Sequence, residues 1–396
     1  MDRGSSLIAF ADFVLTTRQN LISDPNKLIS QATKYRTFLY PLMLKGLSKK
    51  QMVQSGSEMT DFVQLKYTNR RQHRNFTDTY SFTASNSMTQ ITAPWRMFTV
   101  DAVTHEAELD LQQGDVATVF KKVKDAKMAE LDLSYWEGGE DDLFAAPDYD
   151  LMESPTLGSG VGLPYSLRCF ITSDGGMPTS SNSGATGGTT SWTSLMGASS
   201  STYPAWQNQY TTFDNTSDTT RRAESGGVLS ALDKMLRKVQ WQAPESTTKW
   251  VEETSLNKLR IICNGPSKDL LTSLARSKNN VLTPVTDLGW SSGLNTVVFH
   301  GLPVQYVAKL DSVDTDSGSP VDGGDAQADD GASKKGFRWW FVNFNHFKPI
   351  FHSKHYRRMR NLDGGVTNPN ATVFLEDTWT NLWCSNRREQ GLVIAA

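Results

Sequence analysis

Three carboxylates at alternate positions, Glu106, Glu108 and Asp110, lie on one face if their segment is a strand, and paired carboxylates there could do general acid and base chemistry. No nucleophile, metal ligand or glycine loop accompanies them, so a solvated or salt-bridged face is the stronger expectation. His346, His352 and His355 prompt a metal search. In a strand, His352 and His355 point to opposite faces and could share an ion only if the segment were helical. The turn Asn264-Gly265-Pro266-Ser267 could hold an anion at a helix start, but no Gly-rich phosphate fingerprint surrounds it and an ordinary cap is expected. Cys169, Cys263 and Cys384 are widely spaced and odd in number, which fits buried thiols in a reducing interior. No catalytic, cofactor-binding or metal-ligating set emerges, and no enzyme activity is expected.

Charge offers more. Forty basic and 42 acidic residues in 396 leave a net charge of -2, which excludes an overall basic field. The charges are nevertheless segregated. Base collects at Arg70, Arg71 and Arg74, and again at Lys354, Arg357, Arg358 and Arg360; acid collects from Glu137 to Glu153, including Glu140, Asp141 and Asp142, and from Asp311 to Asp330. The first basic cluster suits contact with the acidic side chains near Glu137 to Asp142. The second suits protein contacts first and neutralisation of a phosphate backbone second. Asp12 interrupts the apolar run Leu7 to Leu15 and no small-residue cleavage site follows, so no secretory signal is expected; nor does any stretch reach the ~18 apolar residues of a membrane span.

The elements that position these groups centre on Asp110 to Glu137, where Val116, Val119, Phe120, Val123, Ala126, Leu131 and Tyr135 recur at helical spacing among lysines. This predicts one long helix, with Gly138-Gly139 as its stop. Residues 5–30 read as an arm, followed by a helix over 26–47 that Pro41 ends or kinks. From Gln51 to Val100 the pattern is strand-like but too polar for a core, and the break at Asn69 to Asn75 predicts a projecting hairpin with Arg70, Arg71, His73 and Arg74 near its tip. Such a hairpin is marginal alone and makes sense if neighbouring subunits hold it. Leu167 to Ile171 reads as a short strand, and Thr172 to Ser225 as a Ser/Thr/Gly-rich surface insertion. Its Trp192, Tyr203, Trp206, Tyr210 and Phe213 either anchor it or stack on sugars or bases. A helix over Val228 to Val239, a strand over Lys258 to Cys263, a helix from Ser267, and strands over Thr296 to Val307, Gly336 to Phe344 and Phe347 to Tyr356 alternate as in a compact α/β module.

Ile91-Thr92-Ala93-Pro94-Trp95-Arg96, the long helix after it, and the ending Thr372-Val373-Phe374-Leu375-Glu376-Asp377 followed by Asn381-Leu382-Trp383-Cys384-Ser385-Asn386-Arg387-Arg388-Glu389-Gln390-Gly391-Leu392-Val393 resemble major capsid proteins of tailed bacteriophages. The resemblance implies an α+β chain with the Hong Kong 97-type capsid fold. Its parts would be an N-terminal arm over 1–47, an E-loop hairpin over 48–104, and a P-domain over 105–165 with its spine helix at 110–137. An α/β A-domain over 166–335, including the insertion 172–225, and a return to the P-domain over 336–396 complete it. It further implies self-assembly as pentamers and hexamers into an icosahedral shell around double-stranded DNA, with no cofactor and no membrane. Portal and scaffolding proteins, and a decoration or cement protein, are the expected partners, in a virion capsid assembled in the bacterial host cytoplasm. An encapsulin-like nanocompartment shell is the alternative within the fold; a glycan-binding protein or hydrolase is the alternative outside it.

Overall fold

A computed structural model describes residues 39–44, 51–54, 56, 58–66, 88–105, 117–153, 162–179, 192–223, 225–240, 258–279, 288–291, 296–314, 336–363 and 371–395. The chain divides into two compact units. The first comprises Met1–Lys34, Asp101–Ser134 and Asn361–Phe374, and in it the described helical residues up to Ser134 include a buried Leu131. The second comprises Tyr35–Val100, Tyr135–Arg360 and Leu375–Ala396.

Its main element is a seven-stranded sheet. In spatial order the strands are β5 (Gln209–Phe213), β14 (Gly391–Ala395), β10 (Arg338–Asn343), β6 (Leu259–Cys263), β9 (Leu302–Tyr306), β8 (Thr296–Phe299) and β7 (Leu288–Ser291). β14 runs parallel to β5 and antiparallel to β10. Successive strand residues face opposite sides, and here both sides are apolar. Trp339, Phe341, Ile261, Cys263, Val393 and Phe213 point into one core, closed by the helices Val228–Val239 and Gly265–Asn279. Trp340, Val342, Ile262, Leu392 and Ile394 point into the other, with Leu167, Phe170 and Trp206. Every residue of β10 is buried. At ~1.5–3 kcal/mol for each large apolar side chain removed from water, this strand alone accounts for several kcal/mol of stabilisation.

A second sheet follows the order β1 (Gln51–Val53), β11 (Phe347–His352), β13 (Ala371–Cys384) and β12 (Arg358–Asp363), with β4 (Arg96–His105) also pairing with β13. A separate antiparallel pair, β2 (Glu58–Gln64) and β3 (Met88–Pro94), is in register from Glu58↔Pro94 to Gln64↔Met88. That agrees with the arms expected of a hairpin.

Three expectations need correction. The long helix runs Ala117–Leu143, so Gly138 and Gly139 lie inside it and do not end it. Gly139 is there for close approach: a Cβ would stand 2.5 Å from the Tyr40 ring. The part of the expected helix over 110–116 lies outside the described residues. Leu167 to Ile171 is one helical turn, Leu167–Phe170, with Ile171 N–H donating to the Leu167 carbonyl at 3.0 Å. A short run buried on all sides has no periodicity to distinguish helix from strand. The helix Leu39–Leu42 ends one residue after Pro41, in keeping with the expected stop, and the part of the expected helix over 26–38 lies outside the described residues. Finally, the described part of the Ser/Thr/Gly-rich stretch is no surface appendage: Trp192, Leu195, Met196, Trp206 and Phe213 are buried, and β5 is a strand of the main sheet. Aromatic side chains so enclosed are not stacking platforms, although Tyr210 remains exposed.

Candidate interaction surfaces

Among the described residues no group of three or more His, Cys, Asp or Glu side chains could hold a metal ion, and no helix is long and apolar enough to cross a membrane. Glu106, Glu108, Asp110, Arg70, Arg71, His73 and Arg74 lie outside the described residues. His346 is part of a half-buried polar network, with Nδ1 3.0 Å from Ser385 Oγ and Nε2 3.0 Å from Glu389 Oε2. All three cysteines are free and buried; burial pushes the Cys169 thiol up to about 11 and that of Cys384 up to about 12, so neither is a thiolate at neutral pH.

The Asn264 turn is a cap, as expected, though its helix begins at Gly265, two residues before Ser267. Ser267 N–H donates to Asn264 Oδ1 at 3.1 Å, and Gly265 N–H donates to Asp311 Oδ1 at 2.7 Å. The chain thus supplies its own anion at that helix start, which favours negative charge.

The acidic end of the long helix is divided between interior and surface. Glu140 is fully buried and accepts the Tyr40 N–H at 2.7 Å. Burial pushes its carboxyl up to about 7, opposed by the backbone donors of Tyr40 and Leu39. Asp141 pairs with Lys309 at 2.6 Å. Burial, followed by the neighbouring Asp141, pushes Asp142 up to about 6. Glu137 is half-buried on the same helix.

The second basic cluster is split by its backbone. Arg357 adopts φ +50°, a left-handed conformation costly for a residue with a side chain, and its N–H is held by Thr378 Oγ1 at 3.2 Å. The kink turns Arg357 inward, where it grips both oxygens of Glu376 and lies 4.7 Å from the Tyr135 ring centroid and 5.7 Å from that of Trp136. Lys354, Arg358 and Arg360 stay exposed. Arg360 Nε is 3.0 Å from Asp377 Oδ2. Beside them β11 ends at His352, and a 3₁₀ turn over Ser353–His355 follows. Three residues per turn put i and i+3 on the same side. The His352 and His355 rings are therefore 5.1 Å apart, contrary to the opposite faces expected of a continuous strand. His355 lies flat on Trp379, at 4.1 Å and 7°. The edge of Trp95 meets His352 at 5.5 Å.

The third surface is the outer face of the β2–β3 pair. Met59, Ile91 and Ala93 on one face are buried in the core, while Phe62 and Met88 on the other are 66% and 60% exposed. Strand alternation makes both groups self-consistent.

Sequence reasoning missed the internal clamps. Arg387, fully buried, donates to the carbonyls of Phe170, Trp206 and Gly176 at 2.9, 3.0 and 2.9 Å, and to Asn208 Oδ1 at 3.3 Å. Burial lowers its guanidinium to about 10. Asn381 accepts from Tyr165 N–H at 2.8 Å and donates to the Pro94 carbonyl at 2.7 Å. The available signals were the place of Arg387 in the polar run between β13 and β14, and that of Asn381 as a polar residue beside Leu382 and Trp383 within β13.

Solved structures align with this chain along nearly its whole length. A chain of the cyanophage A-1(L) capsid asymmetric unit is 13% identical, with TM-score 0.54, over 96% of this chain and 98% of that one. A chain of the capsid of an empty GTA particle is 12% identical, with TM-score 0.47, over 96% and 98%. A chain of the cyanophage P-SCSP1u capsid is 8% identical, with TM-score 0.46, over 96% and 94%. No protein-family model and no curated protein matches the chain. The mixed α/β fold is therefore the one seen in the cyanophage A-1(L) capsid chain.

Proposed function

We propose that this chain is the major capsid protein of a tailed bacteriophage, of the Hong Kong 97 type, self-assembling as pentamers and hexamers into an icosahedral shell around double-stranded DNA. The observation that carries the proposal is the fold likeness to the cyanophage A-1(L) capsid chain, which extends over 96% of this chain rather than over one module. In this reading the β2–β3 pair is the base of an E-loop, residues 105–165 form the P-domain with the long helix, 166–335 the A-domain, and 336–396 the return strands. Portal and scaffolding proteins, and a decoration protein, are its partners in the virion.

The work of such a protein is geometry and avidity. Closed symmetry repeats one contact many times, so modest contacts multiply into a shell. Phe62 and Met88 supply an apolar face for a neighbouring copy. Arg70, Arg71 and Arg74 would meet the rim of a neighbour's acidic segment from Glu137 to Asp142, since Glu140 is sealed within its own chain. Exposed ion pairs are worth only ~0–1 kcal/mol each, so apolar contacts dominate.

Negative-stain microscopy of the expressed chain tests the reading. Closed particles are expected, and deletion of residues 66–76 leaves a folded subunit that forms none. A compact monomer at every concentration, or normal particles from the deletion, overturns it.

A further inference from the structure

We propose that the surface formed by Lys354, Arg358 and Arg360 beside the His352–His355–Trp379 ring stack binds the phosphate backbone of duplex nucleic acid. The proposal rests on the shell reading only for its biological setting, since the binding belongs to the chain itself.

Charge sets the ligand class. Among the described residues, Lys354 and Arg358 have no carboxylate partner and Asp377 is shared with Arg360, which leaves an excess of cations. His355 reports the same field: partial burial lowers its proton affinity first, and His352, Arg358 and Arg360 lower it further, against Asp377. Spacing fits a regular polyanion. Alternate residues of a strand stand ~7 Å apart on one face, so Arg358 and Arg360 present two cations at about the interval between neighbouring phosphates. Arg357 would break this pattern, but its left-handed backbone removes it to Glu376.

The rings decide between duplex and single strand. Proteins that hold single strands stack bases on free aromatic faces. Here one face of Trp379 is taken by His355, and Trp95 packs T-shaped against His352, so these rings are engaged with one another within the chain. Contacts to phosphate alone carry no sequence information, and binding is accordingly nonspecific. Phosphate also favours protonated imidazole, so affinity rises as pH falls.

The test is fluorescence anisotropy of a labelled 30-base-pair duplex with the purified full chain, over a salt series at pH 7.5 and 5.5. Each phosphate contact contributes about -0.9 to the slope of log K against log salt. Replacing two of the exposed cations, Lys354→Gln with Arg358→Gln, is expected to weaken binding at least tenfold at low salt and make the slope shallower by about 2, with an unchanged circular-dichroism melt. His355→Gln reduces the gain at pH 5.5. Equal affinity and slope in parent and double variant, or no binding by the parent, overturns the proposal. So does a double variant that binds DNA normally but no longer forms particles, which assigns the surface to contact between copies. A parent that forms no particles yet loses DNA binding in the double variant sinks the shell reading and leaves this one standing.

Discussion

Strand β10 and the β2–β3 pair are both strands, but the first is apolar and the second largely polar, and their surroundings are opposite. Trp339, Trp340, Phe341 and Val342 find apolar neighbours on both faces of β10 within one chain, whereas Phe62 and Met88 face outward from β2 and β3. An isolated two-stranded ribbon is marginal in water. The contrast separates a region that carries stability from one that carries association in the proposed reading, and substitutions should tell the two apart.

Arg387→Ala should have the largest effect. It leaves the carbonyls of Phe170, Trp206 and Gly176 buried without their donor, and at ~1–3 kcal/mol for each abandoned group the loss should exceed ~3 kcal/mol in chemical denaturation. A smaller loss would show that water replaces the guanidinium. Next come two adjacent glycines that differ only in surroundings. Gly139→Ala drives a methyl group into the Tyr40 ring and should cost ~1–3 kcal/mol, while Gly138→Ala meets nothing within 4 Å and should add ~0.5–1 kcal/mol of helix stability. Both are read as shifts of the urea midpoint.

Glu140 adds a pH dependence with a definite sign. The folded state holds its proton more tightly than the unfolded chain, so its contribution is fully present below the ordinary carboxylate range. That contribution is lost as pH rises towards about 7. Asp142, raised to about 6, acts in the same direction. Glu140→Gln keeps an acceptor for Tyr40 N–H and should flatten the stability-against-pH curve across that window. Smallest for folding is the pair Phe62→Ser and Met88→Ser, expected within ~0.5 kcal/mol of the parent yet abolishing particles in sedimentation. If it unfolds the subunit instead, the hairpin belongs to the interior and the contrast fails.

Where a single period governed a segment, the sequence made the element legible. The helix Val228–Val239 has the expected bounds, and Leu259–Cys263 lies within the expected strand. Leu167–Phe170 escaped because all four residues are buried, so burial carried no direction. Gly139 misled because a stop and a close approach demand the same missing side chain, and Tyr40, 99 positions earlier, decides between them. Of the candidate surfaces, the basic run was visible in the sequence, but its division was not. Arg357 differs from Arg358 and Arg360 through one backbone angle and a carboxylate at Glu376.

The order of β5, β14 and β10 bears on the moment of synthesis. The strand that joins β5 to the other five is Gly391–Ala395, later in the chain than every other strand of that sheet. A polypeptide still on the ribosome can prepare its helices, but β5 has no place in the sheet until residues near 391 emerge, and pairings between such distant positions are slow to close. A prematurely terminated chain therefore lacks the bridging strand between β5 and β10, and its main sheet stays unfinished.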